Sequence, residues 1–279
     1  MWGGNVFEGV RAYWLEADRQ LSIFRLRDHL ARLRRSAKCM RLRLQHSDDE
    51  LEQACVELLR TNELAEDLHL VLVAYLESDT VWRTEETGIY VTAVPMPRSN
   101  AYQRGFAACI SSWRRLGDDT MPPRVKIGAN YQNSRLAQEE AIRNGYDTAL
   151  LLNQRGTLAE APGSCLVMVR NGRLVTPPGT SGVLEGITLA TVEELAAQEL
   201  GLELERREID RTELYVADEA FLCGTLVELQ PIVSVDQLEL GSGEPGELTG
   251  TLQRLYDRAA RAEPPYRQWA TPVYERVEA

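Results

Sequence analysis

Apolar and polar positions along this chain follow two periods, and each change of period marks an element. Residues 5–15 read as a strand, 17–20 as a turn and 21–24 as a second short strand. Arg27-Asp28-His29-Leu30 opens a helix whose apolar positions Leu30, Leu33, Ala37 and Met40 keep the 3.6-residue period. Ser47-Asp48-Asp49-Glu50 has the form of a helix start, a small polar cap with acids in the first turn. Leu51, Ala54, Cys55, Leu58 and Leu59 then fall on one face. Residues 69–76 and 88–94 are predicted strands. Two prolines in Pro95-Met96-Pro97 break either period, which suggests a linker over 96–102. Beyond it come a strand at 106–113, a helix at 133–144 ended by Gly145, and strands at 146–153, 166–170 and 173–176. A long helix over 188–200 ends at Gly201, followed by strands at 203–209 and 219–223 and a helix at about 250–262. Helices and strands alternate without a regular βαβ rhythm and without an internal repeat. The pattern predicts an α+β protein with a small N-terminal domain over 1–95 and a larger domain over 103–279. Met1-Trp2-Gly3-Gly4 leads straight into the first strand, so the small domain is expected to lack an initial strand.

Composition narrows the function classes. A formal net charge of −11 argues against broad contact with nucleic acid or an anionic membrane. No apolar run approaches the length of a membrane span, and no signal-like segment opens the chain. The five cysteines are scattered, with no CxxC pair, and read as reduced thiols of a cytoplasmic protein. The three histidines are equally dispersed, so no metal site is expected.

The candidate chemistry starts from lysine. Only Lys38 and Lys126 occur, against 29 arginines. Arginine serves for surface charge, but it does not lose its proton at neutral pH and attack a carbonyl. Lys126 lies between Val125 and Ile127 in a segment that continues to Asn130-Tyr131. Apolar surroundings disfavour the charged amine and favour a nucleophile, while the plainer reading is a solvated loop lysine. Leu184-Glu185-Gly186-Ile187-Thr188 places a glycine directly before a strong helix, either an ordinary helix start or a phosphate cradle of backbone N–H groups. Glu160 in Leu158-Ala159-Glu160-Ala161-Pro162-Gly163 is an acid beside a turn. Thr225 follows Gly224 at a strand end, and Arg32 sits on a helix beside an apolar stripe. Each alone has a bland structural explanation. Together they supply an imine-forming lysine, an acid, a phosphate cradle, a hydroxyl and a cation, the set a pyridoxal phosphate enzyme needs.

Ordered matches then extend nearly end to end. They are Asn5-Val6-Phe7-Glu8-Gly9-Val10-Arg11-Ala12-Tyr13, Asp28-His29 through Arg32-Leu33 to Ser36-Ala37-Lys38, Lys126 through Asn130-Tyr131, and Gly145-Tyr146-Asp147. Ala159-Glu160, Thr176-Pro177-Pro178, the Gly186 segment, Leu214 to Glu219 and Gly224-Thr225 continue the series. On these residues the chain resembles the class IV aminotransferases, fold type IV of the pyridoxal phosphate enzymes, and most of all the branched-chain amino acid aminotransferases. The resemblance implies the two-domain fold of D-amino acid aminotransferase type, a homodimer, and ping-pong transamination of amino acid and 2-oxo acid. It implies that Lys126 holds pyridoxal 5'-phosphate as an imine and shuttles the substrate proton. Glu160 would pair with the pyridine nitrogen and Tyr131 with the ring hydroxyl. Arg32, the Gly186-Ile187-Thr188 backbone and Thr225 would hold the phosphate, and Phe7 would line the substrate pocket.

The substrate side departs from that family. Trp2 stands where the family has a tyrosine. His69 replaces a tyrosine, and Val71 an arginine that reads the distal carboxylate of glutamate. Leu226 replaces an alanine, Ala161 a glycine and Cys165 an asparagine. Two alternatives share the cofactor: a lyase resembling 4-amino-4-deoxychorismate lyase, and a non-catalytic cofactor-binding relative.

Overall fold

The computed structural model describes residues 3–77, 86–98 and 101–274. The chain runs through β1 (Asn5–Leu15), β2 (Gln20–Phe24), α1 (Leu26–Cys39), α2 (Asp48–Thr61), β3 (Leu68–Leu76) and β4 (Thr87–Pro95). It continues with α3 (Ala101–Arg104), β5 (Phe106–Arg114), α4 (Asn130–Arg143), β6 (Thr148–Leu152), β7 (Glu160–Ala161), β8 (Ser164–Arg170) and β9 (Arg173–Thr176). The remaining elements are α5 (Ile187–Leu200), β10 (Leu204–Arg206), α6 (Arg211–Leu214), β11 (Glu219–Gly224), β12 (Glu228–Val235), β13 (Leu238–Glu239), α7 (Glu247–Ala260) and β14 (Ala270–Pro272). Two units result: Met1–Pro97 with Val125–Ala129 and Asp257–Ala279, and Arg98–Arg124 with Asn130–Tyr256.

The first unit is built on an antiparallel sheet in the order β14-β2-β1-β3-β4. Val6, Glu8, Val10 and Ala12 alternate along β1 and are all fully buried, because α1 packs against that strand. A capping box fixes the start of α2: Glu50 N donates to Ser47 Oγ at 3.2 Å, and Ser47 N donates to Glu50 Oε2 at 2.7 Å. The excursion Val125–Ala129 is stitched to this unit. Phe7 N donates to Lys126 O at 2.9 Å, Lys126 N to Ser36 Oγ at 3.2 Å, and Gly128 N to Asn5 Oδ1 at 3.0 Å.

The second unit is a mixed sheet in the order β10-β9-β8-β11-β12-β5-β6, with β7 on β8 and β13 on β12. Leu150, Leu166, Met168, Leu222 and Ile232 are among its buried core residues. The sequence pattern does not predict the short elements α3, β7, α6, β13 and β14, and three further differences have a clear physical reason. First, α4 begins at Asn130, whose side-chain Nδ2 donates to Pro122 O at 3.1 Å, so Tyr131 lies in the first turn of a helix expected only from 133. Second, β10 stops at Arg206 because its one partner, β9, ends at Thr176 before Pro177-Pro178. Third, β12 was not predicted, since Pro231 interrupts its pattern. Its pairing with β5 starts at Ile232, just past that proline. Among the described residues no helix is long and apolar enough to cross a membrane.

Candidate active site

In the first unit, Phe7, Gly9 and Arg11 occupy the face of β1 opposite Glu8. Lys126 comes to the Phe7 side, its Nζ 4.9 Å from the ring centroid. The lysine is half-buried, and its neighbours Val125 and Ile127 are each 2 % exposed. Lys38 is exposed on α1. Across the sheet, Val73, Val71 and His69 of β3 stand opposite Phe7, Gly9 and Arg11, so the two substituted positions share the face of Lys126.

On the other face Glu8 organises Arg32. The arginine donates from Nε to Oε1 at 2.8 Å and from Nη2 to Oε2 at 2.7 Å, and His29 Nδ1 lies 2.8 Å from Oε2. Burial would raise the Glu8 carboxyl, but the charge and hydrogen bonds of Arg32, helped by His29, hold it at about 2. Burial pushes His29 below its ordinary value against the pull of Glu8. Arg32 is therefore a buried cation aimed by a carboxylate. The sequence reading assigned no role to Glu8. A charge at a buried position between Val6 and Val10 was the available signal.

In the second unit Glu160 is buried on β7. Its Oε1 lies 2.6 Å from Arg115 Nη2, and Leu184 N donates to Oε2 at 3.0 Å. Arg115 Nε donates to Gly182 O at 3.1 Å, so one buried arginine ties Glu160 to the loop that leads into α5. Nothing in the sequence marks Arg115 among so many arginines. Gly186 is the N-cap of α5 and brings no side-chain cap to the N–H groups of the first turn, where Ile187 and Thr188 lie. A Cβ on Gly186 would lie 2.6 Å from Cys165 Sγ, so a side chain here would have to displace that thiol. Thr225 and Leu226 form the turn from β11 to β12, with Leu226 50 % exposed. That turn sits close to the β7–β8 turn, since a Cβ on Gly224 would be 3.1 Å from Gly163 O.

The structure thus groups Phe7, Arg32, His69, Val71 and Lys126 in the first unit. In the second it groups Glu160 with the segment that leads to Gly186, Ile187 and Thr188, and places Tyr131, Thr225 and Leu226 at the ends of α4 and β11. Trp2 lies outside the described residues.

The secondary structure is of α+β build, with buried charged residues in each unit. Residues 5–235 match the family described as Amino-transferase class IV, and the chain belongs to that family. It is 40% identical to a probable branched-chain-amino-acid aminotransferase of Aquifex aeolicus, over 99% of this chain and 90% of that protein. Identity to the branched-chain-amino-acid aminotransferase of Escherichia coli K12 is 35%, over 91% of this chain and 84% of the relative. The crystal structure of the Thermobaculum terrenum branched-chain amino acid aminotransferase in its PLP form superposes with a TM-score of 0.94. It is 43% identical, with coverage of 98% of this chain and 91% of that one.

Proposed function

We propose that the protein is a pyridoxal 5'-phosphate-dependent transaminase that moves an amino group between an apolar, branched-chain-like amino acid or amine and a 2-oxo acid. The observation that carries this reading is Lys126, half-buried between buried neighbours with its amine over Phe7, in a chain whose other lysine is exposed. The donor set fits the cofactor. Arg32 and the N–H groups at the start of α5 suit a phosphate, and Glu160 is a buried carboxylate that suits a protonated pyridine nitrogen.

In this reading Lys126 holds the cofactor through Nζ and then carries the proton at the substrate Cα. The cofactor, when bound, supplies an electron sink for the pair left at Cα. Glu160 keeps the proton on the ring nitrogen, and the pairing with Arg115 offsets the cost of burying its charge. Tyr131 orients the ring hydroxyl. Arg32, held by Glu8, grips the phosphate with Gly186, Ile187, Thr188 and Thr225. Phe7, Trp2, His69, Val71 and Leu226 shape the substrate side. The protein is a homodimer in this reading, as the resemblance implies, and a cytoplasmic one.

The test is the half-reaction. L-leucine or L-valine added to the holoenzyme should convert the cofactor's visible absorption to that of its amine form and release the 2-oxo acid. An unchanged spectrum with every amino acid and amine tried would reject the reading, and pyruvate released by elimination would favour the lyase.

A further inference from the structure

We propose that Cys165 and Cys223 form a redox-modifiable dithiol that closes to a disulfide under a peroxide and, in closing, loosens the phosphate cradle at the start of α5. The modification is independent of the transaminase reading; only its effect on the cofactor rests on that reading.

Position comes first. Cys165 on β8 and Cys223 on β11 are directly paired across the antiparallel sheet. Opposed residues of such a pair have Cα atoms ~4.5 or ~5.5 Å apart, and their side chains share one face. Both separations lie within the ~4.4–6.8 Å that a disulfide spans. The two side chains are already hydrogen-bonded to each other. Cys109 stands opposite Ala149, and Cys39 and Cys55 lie on two different helices, so no other two cysteines face each other across strands.

What the pair touches comes second. Cys165 is also the register partner of Glu160 on β7, so Glu160, Cys165 and Cys223 form one row across three strands. The Cys165 thiol donates to Leu184 O at 3.6 Å, and Leu184 N donates to Glu160 Oε2 at 3.0 Å. The same sulfur lies 2.6 Å from the position a Cβ on Gly186 would take. Cys165 thus supports the segment that leads into α5. A bond to Cys223 draws its sulfur towards β11 and removes its proton. The Leu184 carbonyl then loses its donor, and Gly186 loses the sulfur packed against it.

Chemistry comes third. Cys165 is 5 % exposed and Cys223 1 %. The hydrogen bond to Cys165, and then burial, push the Cys223 thiol well above its ordinary range. Cys223 therefore keeps its proton and donates it to the Cys165 sulfur, and Cys165 is the thiol that meets the oxidant. Attack of the Cys165 sulfur on hydrogen peroxide breaks the O–O bond and gives a sulfenic acid and one water. The Cys223 sulfur then displaces hydroxide from the sulfenic sulfur and forms the S–S bond. Its own proton leaves with that hydroxide as a second water. The two thiols give up two electrons and two protons, and the peroxide takes both. A reducing dithiol reverses the change by thiol–disulfide exchange.

The experiment treats the full-length protein, with and without bound cofactor, with hydrogen peroxide, blocks the remaining thiols and maps the peptides by mass spectrometry. The expected product is a linked Cys165–Cys223 peptide, with a several-fold loss of affinity for added pyridoxal 5'-phosphate. Dithiothreitol should restore both. Cys223→Ser, which keeps a small polar side chain at that place, should bind pyridoxal 5'-phosphate as the parent does before oxidation. Under peroxide it should form no linked peptide and stop at the Cys165 sulfenic acid, which dimedone traps. Both thiols left free while the exposed Cys39 is oxidised, or a cross-link between any other two cysteines, overturns the proposal. A linked peptide with parental cofactor affinity overturns its effect on the cradle. Failure of the cofactor reading shows separately, as a reduced protein that binds no pyridoxal 5'-phosphate; the peptide map then still decides the dithiol, and the cradle effect falls with that reading.

Discussion

Replacing Arg32 with glutamine removes the cation that allows Glu8 to be ionised at a fully buried position. In the parent protein Glu8 is held at about 2 against an ordinary value of 4.5. At about 1.4 kcal/mol per tenfold step, that gap is worth about 3 kcal/mol of folding stability at neutral pH. A folded-state value below the unfolded one means the contribution is fully present above 4.5 and is lost as pH falls towards 2. His29 acts in the same direction. Its folded value is lowered, so the unfolded chain takes up the proton first, and stability declines as pH falls below 6.5. In Arg32→Gln burial is no longer opposed by the guanidinium, and two charge-assisted hydrogen bonds are gone. Breaking a buried pair this way costs about 3–5 kcal/mol, or roughly 10 °C in Tm for a protein of this size. Urea unfolding of the cofactor-free protein between pH 4.5 and 8 measures the effect without ligand linkage. The gap between parent and variant should be widest near pH 7 and narrow towards pH 5 as Glu8 becomes protonated. Glu8→Gln in the same background should recover part of the loss. A variant within about 1 kcal/mol of the parent at pH 7, or a gap that stays constant with pH, would refute the argument.

Borohydride reduction of the holoenzyme and peptide mapping should place the pyridoxyl group on Lys126; an adduct on Lys38, or none, would exclude the assignment. Glu160→Gln should keep the cofactor but slow proton abstraction by about two orders of magnitude, ~3 kcal/mol of transition-state stabilisation, seen in single-turnover kinetics. Parental turnover would give Glu160 another job. Glutamate should react poorly relative to leucine or valine, because Val71 offers no cation. Arg98 and Arg104 are already paired with Glu228 and Asp147, and Arg11 lies 3.9 Å from Asp67. The missing charge-assisted hydrogen bond corresponds to ~1.5–3 kcal/mol, roughly ten- to hundredfold in affinity, and equal half-reaction rates would contradict it. Light scattering of the active enzyme at micromolar concentration should give a dimer mass, and a monomer mass would rule the homodimer out.

What the amino-acid sequence determined by itself was local or compositional. The 3.6-residue period and the Ser47 cap define α1 and α2 because helix hydrogen bonds close within four residues. Lys126 stands out because lysine is so scarce here, and Gly186 because glycine precedes a strong helix. Tertiary structure decided what depends on distant partners. β12 contains a proline that argues against a strand, yet it lies between β11 and β5 because those neighbours supply the pairing. β10 ends where β9 ends, which no pattern in 203–209 records. Arg115 looks like any other arginine until the fold buries it against Glu160, 45 residues away in sequence. Glu8 and Arg32 each carry a local signal, but only the packing of α1 on β1 makes them one buried pair. His69 is a single substitution on a strand until the register with β1 sets it over Gly9 and on the face of Lys126. Such pairings are non-local: strand register and buried charge compensation depend on which segments meet, and that is settled only when the whole chain folds.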